Sequence, residues 1–268
     1  MNNICDCHFH VFAAPDKFPM VPTRGYEPPV LAITDYQRLF APLGVTRMVL
    51  VQPSCYGADN RYMLDELKSL GTQGRAVVAV ASDVTTEELA AMHKAGARGI
   101  RVNAVGGSTL SLAQLADIAP KLHALGLHVQ TFMPLGQLPS VEQALLATGL
   151  PIVLDHFGSV DSRLGLEQPT MKALGRMLAT GRVWVKLSAA FRITQSSAPY
   201  QDLVPYAQAL MNLRPDRMVW GSDWPYIRFI DKVAPDFNPL HFFMDAIQSE
   251  DHRQRLFADN AKILYQFD

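Results

Sequence analysis

Short apolar runs recur along the chain, separated by polar stretches with helical character. Runs at 47–52, 76–81, 98–102, 127–132, 151–155, 183–187 and 217–221 are five or six residues each. Together with a first stretch at 4–12 they make eight predicted strands. Most are continuously apolar rather than alternating, the pattern of parallel strands covered on both faces. Helix signals fill the gaps between them. Thr85 with Glu88 and Ser111 with Gln114 read as capping boxes, and Thr34, Asp59 and Ser140 (with Gln143) as further N-terminal caps. A helix is also expected from about Thr170 and another from about Gln201, with two more helical stretches closing the chain. Gly44, Gly71, Gly96, Gly126, Gly149 and Gly181 stand where helices should stop.

Strand and helix alternating in this way predict an α/β protein, a single (β/α)8 TIM-type barrel over residues 1–268. Two departures from a regular barrel are expected: a long Pro-rich loop at 13–32 after the first strand, and an extra C-terminal helix. An open doubly wound sheet would carry a Gly-rich phosphate loop after its first strand, and none is visible.

Composition adds constraints rather than a function. The 268 residues are 49% hydrophobic and 18% charged, with a formal net charge of -1. No basic stripe points to nucleic acid, and no apolar run has the length of a membrane span. Three cysteines and no signal-peptide pattern lead to the expectation of a cytoplasmic protein with reduced thiols. Oligomeric state cannot be read from the chain.

The candidate chemistry lies at the C-terminal ends of the strands. Alternation along 4–12 would put Asp6, His8 and His10 on one face, so that two imidazoles converge. Gln52 and Ser54 follow the second strand, Arg101 and Asn103 lie on the fourth, and Asp155 and His156 end the sixth. Lys186 and Ser188 end the seventh with Arg192 close behind, and Ser222 and Asp223 end the eighth. Polar groups at this rim read as catalytic in a barrel. His93, His123, His241 and His252 fall on helices, and His128 opens the fifth strand at the opposite, stability end.

These residues resemble the amidohydrolase superfamily: the HxH of His8 and His10, His156 in Asp-His-Phe-Gly, and Asp223 in Gly-Ser-Asp-Trp-Pro. The segments 52–60, 99–103 and 186–188 with Arg192 are similar to the branch of lactone hydrolases and sugar-lactone isomerases that includes 2-pyrone-4,6-dicarboxylate lactonase. The resemblance implies a hydrolase that opens a small carboxylated lactone without a metal. Asp223 would activate water, while His8, His10 and His156 would polarise the carbonyl. Arg101, Arg192, Tyr26 and Ser54 would hold the substrate, an acidic small molecule. Two positions depart from the family pattern. Gln130 and Phe132 stand on the fifth strand where metal-dependent members place a ligand. Gly106 and Gly107 stand where the pyrone-dicarboxylate enzyme has a further Arg. The alternatives are a zinc or manganese hydrolase or decarboxylase, with the metal on His8, His10 and Asp223, and a lactone isomerase.

Overall fold

A computed structural model describes residues 3–105, 107, 109–233 and 237–268. Among them, eight strands form one parallel sheet in chain order: β1 (Ile4–Phe9), β2 (Val45–Val51), β3 (Gly74–Val78), β4 (Ala97–Asn103), β5 (His128–Phe132), β6 (Ile152–Leu154), β7 (Val183–Ser188) and β8 (Met218–Gly221). The sheet closes on itself just beyond β8. Asp223 N donates to His8 O at 2.8 Å and His10 N donates to Trp224 O at 2.9 Å. Among the described residues, this closure pairs the first strand with the segment after the last and so covers the sheet edge.

Helices α1 (Ile33–Phe40), α2 (Arg61–Lys68), α3 (Thr86–Lys94), α4 (Leu112–Ala124), α5 (Leu138–Ala147) and α6 (Pro169–Ala179) surround the barrel. A short α7 (Ala190–Ile193), α8 (Val204–Leu213), α9 (His241–Ala246), α10 (Glu250–Gln254) and α11 (Asn260–Tyr265) follow. The capping boxes at Thr85/Glu88 and Ser111/Gln114 form as expected. Three starts differ. Ala32 caps α1, with the Asp35 carboxylate accepting from its N–H, so Thr34 lies inside the first turn. Asn60, not Asp59, occupies the cap of α2, and its side chain instead ties the helix to Ala79. Pro139 in the first turn starts α5 two residues before Ser140, since its fixed φ suits that position.

The outward faces of the strands, such as Leu50, Ile100, Leu154 and Leu187, pack against the helices in one large apolar cluster. The inward faces form a second, smaller one at the N-terminal end of the barrel. Cys5, Cys7, Val49, Val77, Val153 and Val219 meet there, and Leu264, Tyr265 and Phe267 plug it from below. Arg75 fastens that plug by donating to Tyr265 O and Gln266 O, at 3.1 and 2.8 Å. His128 lies at this end, its ring edge-on to Tyr265. Its imidazole fits only because Gly99 has no Cβ, which would come within 2.3 Å of the ring. No helix among the described residues is long and apolar enough to cross a membrane.

Candidate active site

The first strand departs from simple alternation. Its register against β2 shifts between Asp6 and Phe9. Cys5 and Cys7 face inward, and after the irregularity His8 faces inward as well. Asp6 turns away toward α1 instead of joining the histidines. Its Oδ1 accepts from His8 N and Ser222 N, at 3.0 and 2.9 Å, and its Oδ2 accepts from Tyr36 Oη at 2.7 Å. The carboxylate thus clamps β1, β8 and α1 together. Burial raises its pKa to about 6 in spite of these hydrogen bonds. Gly221 makes room for the displaced histidine, since a Cβ there would lie 2.6 Å from that of His8.

Asp223 is the centre of the upper barrel. It is non-glycine backbone at φ 61, just past β8, and almost wholly buried. Its Oδ1 faces three imidazoles: His8 Nε2 at 3.5 Å, His10 Nε2 at 3.8 Å and His156 Nε2 at 3.9 Å. Its Oδ2 accepts from Arg192 Nε at 2.6 Å. His10 is oriented by Val51 O, 2.7 Å from its Nδ1, and His156 by Ser188 Oγ, 2.9 Å from its Nδ1. Beneath them lies a second, fully buried group. Lys186 Nζ sits 2.7 Å from Gln130 Oε1, 3.3 Å from His8 Nδ1 and 3.3 Å from Asp155 Oδ1. Gln130 Nε2 donates to Asp155 Oδ2 at 3.0 Å, and Arg101 Nη2 lies 3.9 Å from the same oxygen.

Burial governs the protonation states. It holds His8 and His156 well below the ordinary imidazole range and His10 at about 3, with Lys186, Arg101 and Arg192 among the cations opposing further positive charge. Burial thus disfavours the protonated form of all three imidazoles. Burial would raise Asp155, but Lys186, His156, Arg101 and Gln130 together pull it below its usual value. Burial does raise Asp223, against the pull of Arg192 and Arg101. A carboxylate with an elevated pKa is a better proton acceptor than a surface aspartate.

Above this cluster opens a small cavity. Arg101, His10, His156 and Asp223 line its inner end, with Phe132 and Val105 as apolar wall. Tyr26 and Ser54, their hydroxyls 3.5 Å apart, also line it, as do Arg192 and Arg228. The loop carrying Tyr26 is pinned at its base by paired hydrogen bonds between Phe12 and Leu31, each 2.8 Å. Its Phe18, Met20 and Tyr26 pack on Phe12, Cys55 and Tyr56, which sets the loop over the mouth. Of the residues expected from the sequence, His10, His156, Asp223, Arg101, Arg192, Tyr26 and Ser54 all border this cavity, and His8 sits just beneath. Gly107 is at a neighbouring recess, and Gly106 lies outside the described residues. Lys186 and Asp155 stand among the polar strand-end groups expected from the sequence, but without an assigned role, and Gln130 was expected only as a departure from the metal-ligand pattern. A lysine inside an otherwise apolar strand, in step with Trp184 and Ser188, is the signal that marks one of them.

The donor atoms that come within 4.8 Å of one another are those of His8, His156 and Asp223, not the His8, His10 and Asp223 set of the metal alternative. Three N/O donors suit zinc or manganese by element type. The charge balance does not suit a divalent ion. Lys186, Arg101 and Arg192 already outnumber Asp155 and Asp223, and one Asp223 oxygen is occupied by Arg192. The same surplus of positive charge suits an anionic ligand.

A buried acid–imidazole cluster at the C-terminal mouth of a (β/α)8 barrel defines a barrel enzyme. The model of the amidohydrolase family matches residues 5–267, and the chain belongs to that family. It is 35% identical over 265 residues to a 4-sulfomuconolactone hydrolase of Hydrogenophaga intermedia, covering 97% of this chain and 88% of the relative. It is 31% identical over 271 residues to a 2-pyrone-4,6-dicarboxylate hydrolase of Comamonas testosteroni, covering 97% and 89%. Among solved structures, a Pseudomonas putida protein assigned as a 2-pyrone-4,6-dicarboxylic acid hydrolase superposes with a TM-score of 0.88 at 35% identity, over 100% of this chain and 99% of that one.

Proposed function

We propose that this enzyme hydrolyses a small acidic lactone, with Asp223 as general base and without a metal. One observation carries the reading: a single buried carboxylate oxygen faces three imidazoles at 3.5–3.9 Å, while a guanidinium fixes the other oxygen. A water beside Asp223 Oδ1 gives up its proton to the carboxylate as its oxygen bonds to the lactone carbonyl carbon. The carbonyl oxygen becomes an oxyanion beside an imidazole N–H of the cluster. Each well-placed donor of this kind contributes about 3 kcal/mol, and a positioned base about 10²–10⁴ in rate. Collapse of the intermediate breaks the ring C–O bond, and the proton on Asp223 passes to the departing oxygen. The product is one open-chain acid, and the aspartate is restored.

Arg101 is the anchor for an acidic substituent. It is buried at the inner end of the cavity, and its Nε has no hydrogen-bond partner. A carboxylate or sulfonate would complete it, since guanidinium geometry matches either anion. The relatives named above act on lactones whose names carry such groups, a sulfo group in one and two carboxylates in the other. Tyr26 and Ser54 would add hydrogen bonds across the mouth. Arg192, bound to Asp223, would orient the base and meet the substrate with its remaining donors.

The test is incubation of chelator-treated enzyme with a panel of carboxylated and sulfonated lactones and pyrones, with ring opening followed by absorbance and products identified by NMR. The expected result is an open acid at a rate that chelation leaves unchanged. Turnover that requires stoichiometric metal would overturn the metal-free mechanism. A rearranged lactone as product would make the enzyme an isomerase.

A further inference from the structure

The two histidines of the HxH strand look equivalent, but their Nδ1 atoms meet opposite partners. His10 Nδ1 lies 2.7 Å from Val51 O. A carbonyl oxygen only accepts, so His10 carries its proton on Nδ1. Its Nε2 is then a bare lone pair directed at the Asp223 side of the cavity. His8 Nδ1 lies 3.3 Å from Lys186 Nζ. Lys186, paired with Asp155 Oδ1 at 3.3 Å, is read as an ammonium, which only donates, so His8 presents its lone pair at Nδ1 and carries its proton on Nε2. That N–H faces Asp223 Oδ1, 3.5 Å away, with no other partner.

Asp155 Oδ1 is also 3.3 Å from His8 Nδ1 and would favour the other tautomer if it were aligned. It makes no hydrogen bond, whereas the Lys186–His8 contact does. Asp155 acts on Lys186 instead, as the counter-charge that lets an ammonium persist at full burial, and Gln130 Oε1 takes a second Lys186 proton at 2.7 Å.

We propose that Lys186 is a positioning residue: by occupying His8 Nδ1 it makes His8 the hydrogen-bond donor to the lactone carbonyl, while His10 is held as an acceptor toward the attacking water. The imidazoles of the HxH then serve opposite ends of the reaction, the oxyanion and the nucleophile. The tautomer assignment stands on the protein alone; its catalytic consequence rests on the lactone reading above.

Two measurements test it. Two-bond ¹H–¹⁵N correlation spectra of the labelled full-length protein, with His8 and His10 assigned through His8→Gln and His10→Gln, read the tautomers without substrate. The expected result is Nε2–H for His8 and Nδ1–H for His10, and the same tautomer on both would overturn the proposal. Lys186→Met is expected to lower kcat roughly a hundredfold with KM nearly unchanged and to release the His8 tautomer. Lys186→Gln, which keeps an N–H donor toward Nδ1, is expected to recover most of that loss. A Lys186→Met protein that folds but keeps both the tautomer and kcat would sink the assignment. If Lys186→Met does not fold, the wild-type spectra decide it. Failure of every lactone to turn over would count against the function and leave the spectra to judge the tautomers.

Discussion

At the N-terminal end of the barrel the inward positions are mostly apolar, Cys7, Val77, Val153, Trp184 and Val219 among them, with Arg75 and His128 beside the Tyr265 plug. One repeat further along the same strands they become His8, Asp155, Lys186 and Gly221, joined by Arg101 and Gln130. Both layers are buried. The lower one is held by dispersion and the hydrophobic effect, and it is sealed by Tyr265 and Phe267. The upper one consists of groups that are costly to bury and that offset the cost by pairing with each other. A barrel therefore separates stability from chemistry along its axis, in two layers that share a backbone.

The strongest way to break this comparison is at Asp223. Asp223→Asn should lower kcat/KM by about 10²–10⁴ while far-UV circular dichroism stays unchanged, since it removes the proton acceptor and little packing. Retained activity would remove the proposed base. The opposite experiment is Val153→Ala in the lower layer. A deleted pair of buried methyl groups should cost about 2 kcal/mol of stability and lower Tm by several degrees, with kcat of the folded enzyme within about twofold. If kcat falls along with Tm, the two layers are not separable.

The pH dependence sharpens the contrast within the upper layer. Burial raises Asp223, and only its ionised form accepts a proton, so kcat/KM should fall as pH drops through a value above the ordinary 3.8. His8, His10 and His156 are all held below their ordinary 6.5, with His10 at about 3. Each is already neutral as the pH reaches neutrality, so no separate imidazole limb is expected near 6.5. A limb there that survives in the Asp223→Glu enzyme would show that a histidine titrates in the working range.

The order of strands and helices was legible in the sequence because it depends on local signals: apolar runs for buried parallel strands, and capping boxes such as Thr85/Glu88. Caps that depend on a neighbour's backbone or on a proline's fixed φ were misplaced, as at Thr34 and Ser140. The rim of polar groups was legible because it recurs at each strand end. The facing of Asp6 was not, because its partners are Tyr36, from α1, and Ser222, 216 residues further along the chain. Lys186 and Asp155 were visible as strand-end polar groups, but their partnership was not, for a related reason. Each is ordinary alone, and their meaning comes from a pairing across adjacent strands at 3.3 Å.

Arg228 should give the smallest effect. It stands at the rim of the same cavity, exposed, on backbone at φ 69. Its Nη2 donates to Gly25 O at 3.1 Å and its guanidinium lies 5.6 Å from the Tyr26 ring centroid. A Cβ on Gly25 would come within 2.3 Å of that Nη2, so the glycine leaves the guanidinium its place. Arg228 thus bridges the two loops that frame the mouth and offers a charge to a second acidic group on the substrate. Solvent screens it, so the interaction should be worth less than about 1 kcal/mol, against a larger value for buried Arg101. Arg228→Gln should therefore raise KM only a few-fold for doubly acidic lactones, leave kcat alone, and change KM less for singly acidic ones. The difference should shrink as ionic strength rises, because an exposed pair is screened over about 10 Å at 0.1 M salt. An effect as large as that of Arg101→Gln, insensitive to salt, would mean that the rim closes over the substrate and buries Arg228 with it.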